Sequence, residues 1–434
     1  RARWLAYLRD VPARFGRREE RQGDRPCVWI HGVSVGEVKA AARLVESIEA
    51  RVPGVEIVVS ATTDTGRRVA LDRYPGRRVE FWPPDLSWVV RPALDRLRPD
   101  LLVLVESEFW PNFMFEVFER GIPAALVNGR ISARSAARFR RFGPLGRRLL
   151  GGLQLVCAQV PVYAERFLAL GVPPDRVVVT GNLKLDNVPI VAERARSEAY
   201  ARLLGDSASP RRPLLVAGST HPPEERLVAE MIRRLDAEGT PVRAVVAPRH
   251  PGRADDVEAD LARSGRPVVR RTRLSADRPA PPDAVVLLDT VGELESVYAL
   301  ADVVFVGGSL VKHGGQNMME PASLAKPVVV GPWTWNFRGE LELLTAGGGV
   351  AVADGAEGVL EVIRGWLRDP AAARAVGERG RRSIVDSKGA TERTLAILAP
   401  LLDALPRPGT RPAAQNARRD DARRAPTGGT AGSS

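Results

Sequence analysis

Short, mainly apolar runs alternate along this chain with longer stretches whose apolar residues recur every three or four positions. The apolar runs Cys27–His31, Val55–Ser60, Arg78–Phe81, Asp100–Val105, Pro123–Val127, Leu153–Ala158 and Val177–Thr180 predict seven strands. Between them the spacing is helical: from Glu37, residues Val38, Ala41, Ala42, Val45 and Ile48 share one face. Periodicity weakens from Asn187 to Arg212. A second series then runs through Leu214–Ala217, Val242–Ala247, Val268–Arg270, Val285–Leu288, Val303–Val306 and Pro327–Val330, closed by helical patterns at Gly358–Leu367 and Thr391–Leu402. Strands that read as unbroken apolar runs belong to parallel sheets covered on both faces. The alternation predicts an α/β protein of two Rossmann-like, doubly wound domains facing across a cleft. The expected boundaries are a basic segment over 1–25, a first domain over 26–190, a linker over 191–212, a second domain over 213–405 and a disordered tail over 406–434.

Composition sharpens this only in places. The chain has 434 residues, enough for two domains, and 44% apolar residues, ample for two cores. The formal net charge of +12 is unevenly spread. Residues 1–25 hold eight Arg against four acids, with Trp4, Leu5, Tyr7 and Leu8 interleaved, a candidate membrane-surface segment or a frayed terminus. Residues 129–150 hold seven Arg and no acid. Such a surface suits nucleic acid, an anionic membrane or a phosphorylated substrate. The aromatic platforms of single-strand nucleic-acid binders are not interleaved with it. Cys27 and Cys157 sit in apolar runs and form no CxxC, as buried thiols of a reducing compartment would. No apolar run reaches the ~18–20 residues that span a bilayer.

The polar residues that could do chemistry collect just after strands, where open α/β sheets bind ligands. Glu37 follows the first strand, flanked by Gly32 and Gly36, at the start of a helix. It can serve as a general base toward an acceptor hydroxyl, or simply as a first-turn acid stabilised by the helix dipole. Glu108 follows the fourth strand and could orient Glu37 or an acceptor, or pair with Arg130 or Arg134. In the second series, Arg249 and His250 are held between Pro248 and Pro251 at a strand end, which suits a phosphate. Gly307, Gly308 and Ser309 form a turn ahead of a short helix opening near Asn317. Its unpaired N–H groups would seat a phosphate, and Glu320 could accept from a ribose diol. Ser219, before a helix led by Glu224, fits a plain capping arrangement. The four histidines show no metal-ligand spacing and no D-x-D triplet occurs, so a metal-independent site without a cofactor is expected.

Ten motifs in register then define a resemblance: GVSVGE, ESEFWPN, NGRISARS, GNLKLD, AGSTH, APRHP, DTVGELESVY, FVGGSL, GGQNMMEPA and GPWTWNF. Over about Val28 to Ala404 the chain resembles the 3-deoxy-D-manno-octulosonic acid (Kdo) transferases of lipid A, glycosyltransferase family 30. The resemblance implies a GT-B fold, with CMP-Kdo on the second domain and a lipid A precursor (lipid IVA) on the first. It implies inverting, metal-independent transfer of Kdo in lipopolysaccharide core synthesis at the cytoplasmic face of the inner membrane. Members commonly carry an N-terminal membrane anchor, which this chain is expected to lack through truncation. On the same resemblance Glu37 is the base and Glu108 a second essential acid. Arg249, Gly307–Ser309, Asn317 and Glu320 would hold CMP, with Lys184, Ser219 and His250 near the donor. The arginine-rich stretch, including Arg130, Ser132 and Arg134, would meet the acceptor's phosphates or the anionic inner leaflet. The sequence reads GGQNMMEP and NGRISARS where relatives often have NPLEP and NARLSARS, keeping Asn317 and Glu320. The alternatives are a GT-B enzyme using a UDP-sugar and a non-catalytic anionic-lipid binder.

Overall fold

The computed structural model describes residues 14–15, 19–106, 109–191, 193–205 and 212–407. The chain forms two compact units. One comprises the chain up to Asn187 and again from Gly389; the other is Val188–Lys388.

In the first unit seven strands form one parallel sheet: β1 (Cys27–His31), β2 (Glu56–Ala61), β3 (Arg78–Phe81), β4 (Leu101–Val105), β5 (Ala124–Gly129), β6 (Leu155–Ala158) and β7 (Val177–Val179), in the order β3-β2-β1-β4-β5-β6-β7. The apolar runs are continuous because both faces are buried. Leu101, Val103 and Val105 of β4 enter one core with Val28 and Ile30, while Leu102 and Leu104 enter the other with Trp29 and Phe113. The order reverses between β1 and β4, so the loops beyond their carboxyl ends diverge and leave a crevice.

The second unit repeats the plan with β8 (Leu214–Thr220), β9 (Arg243–Pro248), β10 (Val268–Arg270), β11 (Val285–Leu287), β12 (Val303–Val306), β13 (Val328–Val330) and β14 (Ala351–Val352), all parallel, ordered β10-β11-β9-β8-β12-β13-β14. Its reversal lies between β8 and β12. Gly218 at the end of β8 lies against the Tyr298 ring, where any side chain would collide with the phenol oxygen.

Two expected boundaries are corrected. The closing helix, Ala390–Asp403, belongs to the first unit and not to the second. Ala390, Leu398 and Leu402 join the core that holds Val28 and Leu183, and Arg393 donates to the Thr180 carbonyl at 2.8 Å. Asp186, 2% exposed, fixes the helix start, accepting from the backbone N–H groups of Gly389 (2.8 Å) and Thr391 (2.6 Å) and from the Thr391 hydroxyl (2.6 Å). The 191–212 stretch contains a helix, Arg194–Leu203, within the second unit; residues 206–211 lie outside the described residues. In the described part of the basic N-terminal segment, Arg14 and Arg21 are buried. Arg21 donates to the carbonyls of Leu97 and Arg25 at 2.8 Å and pairs with Glu56 at 3.2 Å. Residues 1–13 and 16–18 of that segment, and nearly all of the tail, lie outside the described residues.

Asp186→Ala leaves three donors of a buried cap without an acceptor. It is expected to destabilise the first unit by about 3 kcal/mol and to lower its unfolding midpoint ahead of the second unit's, measured by chemical denaturation.

Candidate active site

Glu37 is the third residue of the Val35–Ala40 helix, which begins just beyond β1. Ser34 caps that helix, accepting from the Glu37 N–H at 3.4 Å, and donates its hydroxyl proton to Glu37 Oε1 at 2.9 Å. The Val33 N–H donates to Glu37 Oε2 at 2.6 Å. This is a capping box tightened by a further backbone donor. It fixes the carboxylate at the rim of the β1/β4 crevice, 8% exposed.

Around it, Glu106 follows β4, and its Oε1 lies 2.6 Å from Lys184 Nζ in an ion pair. The lysine stem runs beside Gly36, whose Cβ position is 3.9 Å from Lys184 Cε. Lys184, expected near the donor, thus belongs to the same crevice as Glu37, in the first unit. Glu108 lies outside the described residues. Arg130, half-buried, follows β5. Ser132 caps the Ala133–Arg141 helix, accepting from the Ser135 N–H at 3.1 Å, and Arg134 is exposed in its first turn. Arg134, Arg138, Arg140 and Arg141, with Arg147 and Arg148 of the Gly143–Gly151 helix, all face solvent, as do Phe142 (55%) and Leu145 (51%) between them.

Beneath the rim, His31 ends β1 fully buried. Its Nδ1 lies 3.0 Å from Ser60 Oγ, which also accepts from Trp29 Nε1 at 2.8 Å, and its ring stacks on Trp82 with centroids 3.8 Å apart. Burial drives its pKa down to about 3, partly offset by the Ser60 carbonyl. It is therefore a neutral imidazole at ordinary pH.

In the second unit the expected donor residues gather at one edge. Ser219 ends β8 with a left-handed φ of 56°. Gly307 lies beside it, donating to the Gly218 carbonyl at 2.9 Å. The Arg249 N–H donates to the Thr220 carbonyl at 3.0 Å, so Arg249 and His250, both exposed, leave β9 next to the same loop. Asn317 donates to Glu320 Oε1 at 2.9 Å and caps the Met319 N–H at 3.1 Å. His221 stacks on His313 (3.8 Å) and accepts from Gln316 Nε2 at 3.0 Å, with His250 at 6.0 Å. Burial, then the neighbouring His313, His250, Arg249 and Arg253, lowers its pKa to about 4.

One expectation changes here. The amides of Gly308 and Ser309, in the turn expected to help hold CMP, are taken by the protein's own Glu224. This carboxylate, wholly buried, accepts from Gly308 N (2.6 Å), Ser309 N (3.0 Å), Leu310 N (2.8 Å) and His221 N (2.9 Å). Gly307 must be glycine, because a Cβ would lie 2.8 Å from Glu224 Oε2 and 2.6 Å from Thr220 Cα. A phosphate at this edge would meet Arg249 and the histidines instead. Among the described residues, no group of three or more His, Cys, Asp or Glu side chains is placed to hold a metal ion.

Comparison with known proteins adds to this geometry. A family model described as 3-Deoxy-D-manno-octulosonic-acid transferase (kdotransferase) matches residues 9–187. The 3-deoxy-D-manno-octulosonic acid transferase of Bordetella pertussis is 35% identical, the match covering 89% of this chain and 91% of that one. That of Haemophilus influenzae is 31% identical over 87% of each. Among solved structures, the UDP-GlcNAc 2-epimerase of Neisseria meningitidis shares the fold, with a TM-score of 0.59 at 12% identity, covering 86% of this chain and all of that one.

The buried histidine carries a pH signature. In the unfolded chain His31 takes up a proton near pH 6.5; in the fold it resists protonation to about pH 3. Its contribution is therefore fully present above pH 6.5 and lost as the pH falls toward 3. The first unit is expected to lose about 2 kcal/mol between pH 6.5 and 5 from this group alone. Denaturation of wild type and His31→Asn over that range reads it out, the variant showing a slope smaller by about one proton.

Proposed function

The chain belongs to the 3-deoxy-D-manno-octulosonic acid transferase family, and on that premise we propose that it transfers Kdo from CMP-Kdo to a lipid A precursor in lipopolysaccharide core synthesis, with inversion and without a metal. The donor belongs on the second unit, at the edge formed by Ser219, Arg249, His250 and the Gly307–Glu320 segment. The acceptor belongs on the first. The observation that carries the reading is the fixed carboxylate of Glu37 at the switch point of the first sheet, with the cation of Lys184 beside it.

In the reaction the acceptor hydroxyl gives its proton to Glu37 while its oxygen bonds to the anomeric carbon of Kdo. The bond from that carbon to the CMP phosphate oxygen breaks, and CMP leaves with the electron pair. The charge growing on the phosphate is met by Arg249 and by the neighbouring histidine N–H groups. The Val33 N–H and Ser34 hydroxyl hold Glu37 so that little reorganisation is needed as the proton moves.

The acceptor is an anionic lipid, and the first unit offers a matching surface. Six arginines of the two helices over 133–151 surround exposed Phe142 and Leu145, a basic face with an apolar tip. Among the described residues no helix is long and apolar enough to cross a membrane. We place the enzyme at the cytoplasmic face of the inner membrane through this surface.

Two experiments test the reading. Transfer from CMP-Kdo to a tetraacylated lipid A precursor should occur with the wild type and fall by ~10²-fold or more in Glu37→Gln, with CMP release followed in parallel. CMP release without lipid product would remove the acceptor assignment, and no release by either protein would remove the donor. Separately, Arg138→Ala with Arg141→Ala should weaken sedimentation with vesicles rich in anionic lipid by about 30-fold, at ~1 kcal/mol per arginine, and leave the weak binding to neutral vesicles unchanged. Equal effects on both vesicle types would sink the electrostatic part.

A further inference from the structure

At the rim of the second sheet, loops leave the carboxyl ends of adjacent strands in the order β9, β8, β12, β13. They bring forward Arg249 and His250, then Ser219 and His221, then the 309–316 loop, then the 331–337 segment. Contacts run along this row. His250 lies 6.0 Å from His221, His221 stacks on His313 at 3.8 Å, and Asn336 Nδ2 donates to the His313 carbonyl at 3.0 Å. Arginine and imidazole groups occupy one end of the row. The other end is aromatic.

Trp333 and Trp335 stand at that end, 37% and 51% exposed, in a T-shaped pair with ring centroids 6.0 Å apart. Their loop is firmly held. The Trp333 N–H donates to the Ser309 carbonyl at 3.0 Å, the Asn336 N–H to the Gly314 carbonyl at 3.0 Å, and the Gly331 N–H to the Ser309 hydroxyl at 2.9 Å. Gly314 packs so closely that a Cβ there would lie 2.7 Å from Trp335 Nε1. The tryptophan loop is thus built onto the loop whose Ser309 and Leu310 amides bind Glu224. Lys312, exposed, holds its ammonium 5.2 Å from the centre of the Trp333 ring, and among the described residues it has no carboxylate partner. Adjacent indoles left in water on a fixed loop mark a surface built for contact.

A flat apolar face with an unneutralised cation at its edge fits a ligand that is apolar on one side and anionic at one point. A sugar acid is such a ligand. Its ring presents C–H bonds that pack on an indole, and its carboxylate accepts from an ammonium. CMP-Kdo carries two anionic groups, the phosphodiester and the carboxylate of the sugar. In the reading above Arg249 and the histidines meet the phosphate, so the carboxylate needs a cation of its own, and Lys312 lies further along the same row.

We propose that Trp333 and Lys312 form the subsite for the donor's sugar on the second unit. The Trp333 ring packs against the sugar ring, Lys312 binds the carboxylate, and Trp335 backs Trp333 edge-on. The pair selects an acidic sugar over a neutral one on the same nucleotide. This rests on the transferase reading above and adds to it the residues that hold the sugar.

Calorimetric titration of the full chain with CMP and, separately, with CMP-Kdo distinguishes sugar contacts from nucleotide contacts. Lys312→Met, which keeps an apolar stem, should weaken CMP-Kdo binding by ~10-fold. Trp333→Ala should weaken it by ~5–10-fold, and Trp333→Phe should recover most of that loss. CMP affinity should stay within ~2-fold of wild type in all three, which also reports an intact fold. In the transfer assay Lys312→Met and Trp333→Ala should raise the KM for CMP-Kdo by similar factors.

Equal weakening of CMP and CMP-Kdo would give the loop a structural role only and overturn the proposal. So would wild-type CMP-Kdo affinity in Lys312→Met and Trp333→Ala. Were those variants then to lose binding to vesicles rich in anionic lipid, the pair would be a lipid-surface contact instead. Should the wild type bind neither CMP nor CMP-Kdo, the transferase reading falls and the subsite with it, whereas CMP-Kdo binding that ignores both substitutions removes the subsite alone.

Discussion

Backbone N–H groups in the loops beyond parallel strands have no neighbouring strand to pair with, and the fold depends on how they are satisfied. Both units use the same device: a carboxylate at the start of the helix after the first strand reaches back into the loop. Glu37 does this after β1 and Glu224 after β8. Burying Glu224 raises its pKa through desolvation, and the four backbone donors pull it back. A carboxylate without those donors would not stay charged at that depth, and donors without it would be orphaned. The Gly307–Leu310 turn and the Ser219–His221 strand end are therefore one object, and the residues expected to meet the donor take their positions from it.

The same logic explains why chain order and unit membership differ. The last strand of the first unit leads to Asp186, whose carboxylate caps a helix more than 200 residues later in the sequence. The second unit is in effect inserted between a cap and the helix that it caps. The end of the Lys184 turn is fixed twice, Asp186 on the returning helix and Asn187 on the end of the Glu37 helix.

Much of this was legible in the sequence, and the failures share a cause. Thirteen of the fourteen strands could be read because both faces of a parallel sheet are largely buried, so most strands are mainly apolar runs; β14, two residues long, is too short to stand out. The Pro370–Asp386 helix was missed because its buried positions, Ala373, Gly377 and Gly380, are small, so close packing against the neighbouring backbone leaves no apolar stripe. The allegiance of the Ala390–Asp403 helix was invisible because a cap formed across more than 200 residues has no local pattern. At the candidate site, residue types singled out Glu37, Arg249 and the Gly307–Glu320 segment, and each begins just beyond the carboxyl end of a strand, where the sequence put it. That the turn amides would be filled by Glu224 could not be read, because an acid opening a helix looks the same whether it faces solvent or folds back into a loop.

That last ambiguity separates the two carboxylates chemically. Glu224 has no exposed surface and is bound by four backbone N–H groups, two on each oxygen, which cannot rotate away, so each of them opposes a proton there. Glu37 remains 8% exposed, and one of its donors is the Ser34 hydroxyl, which can turn to another acceptor as charge leaves the carboxylate. Acids in the first turns of corresponding helices on two similar folds thus end in different surroundings, one locked into a loop and one left partly open. The difference arises from what surrounds each carboxylate and not from its place in the helix, and it is the physical reason to seek the chemistry on the first unit and the donor's anchorage on the second.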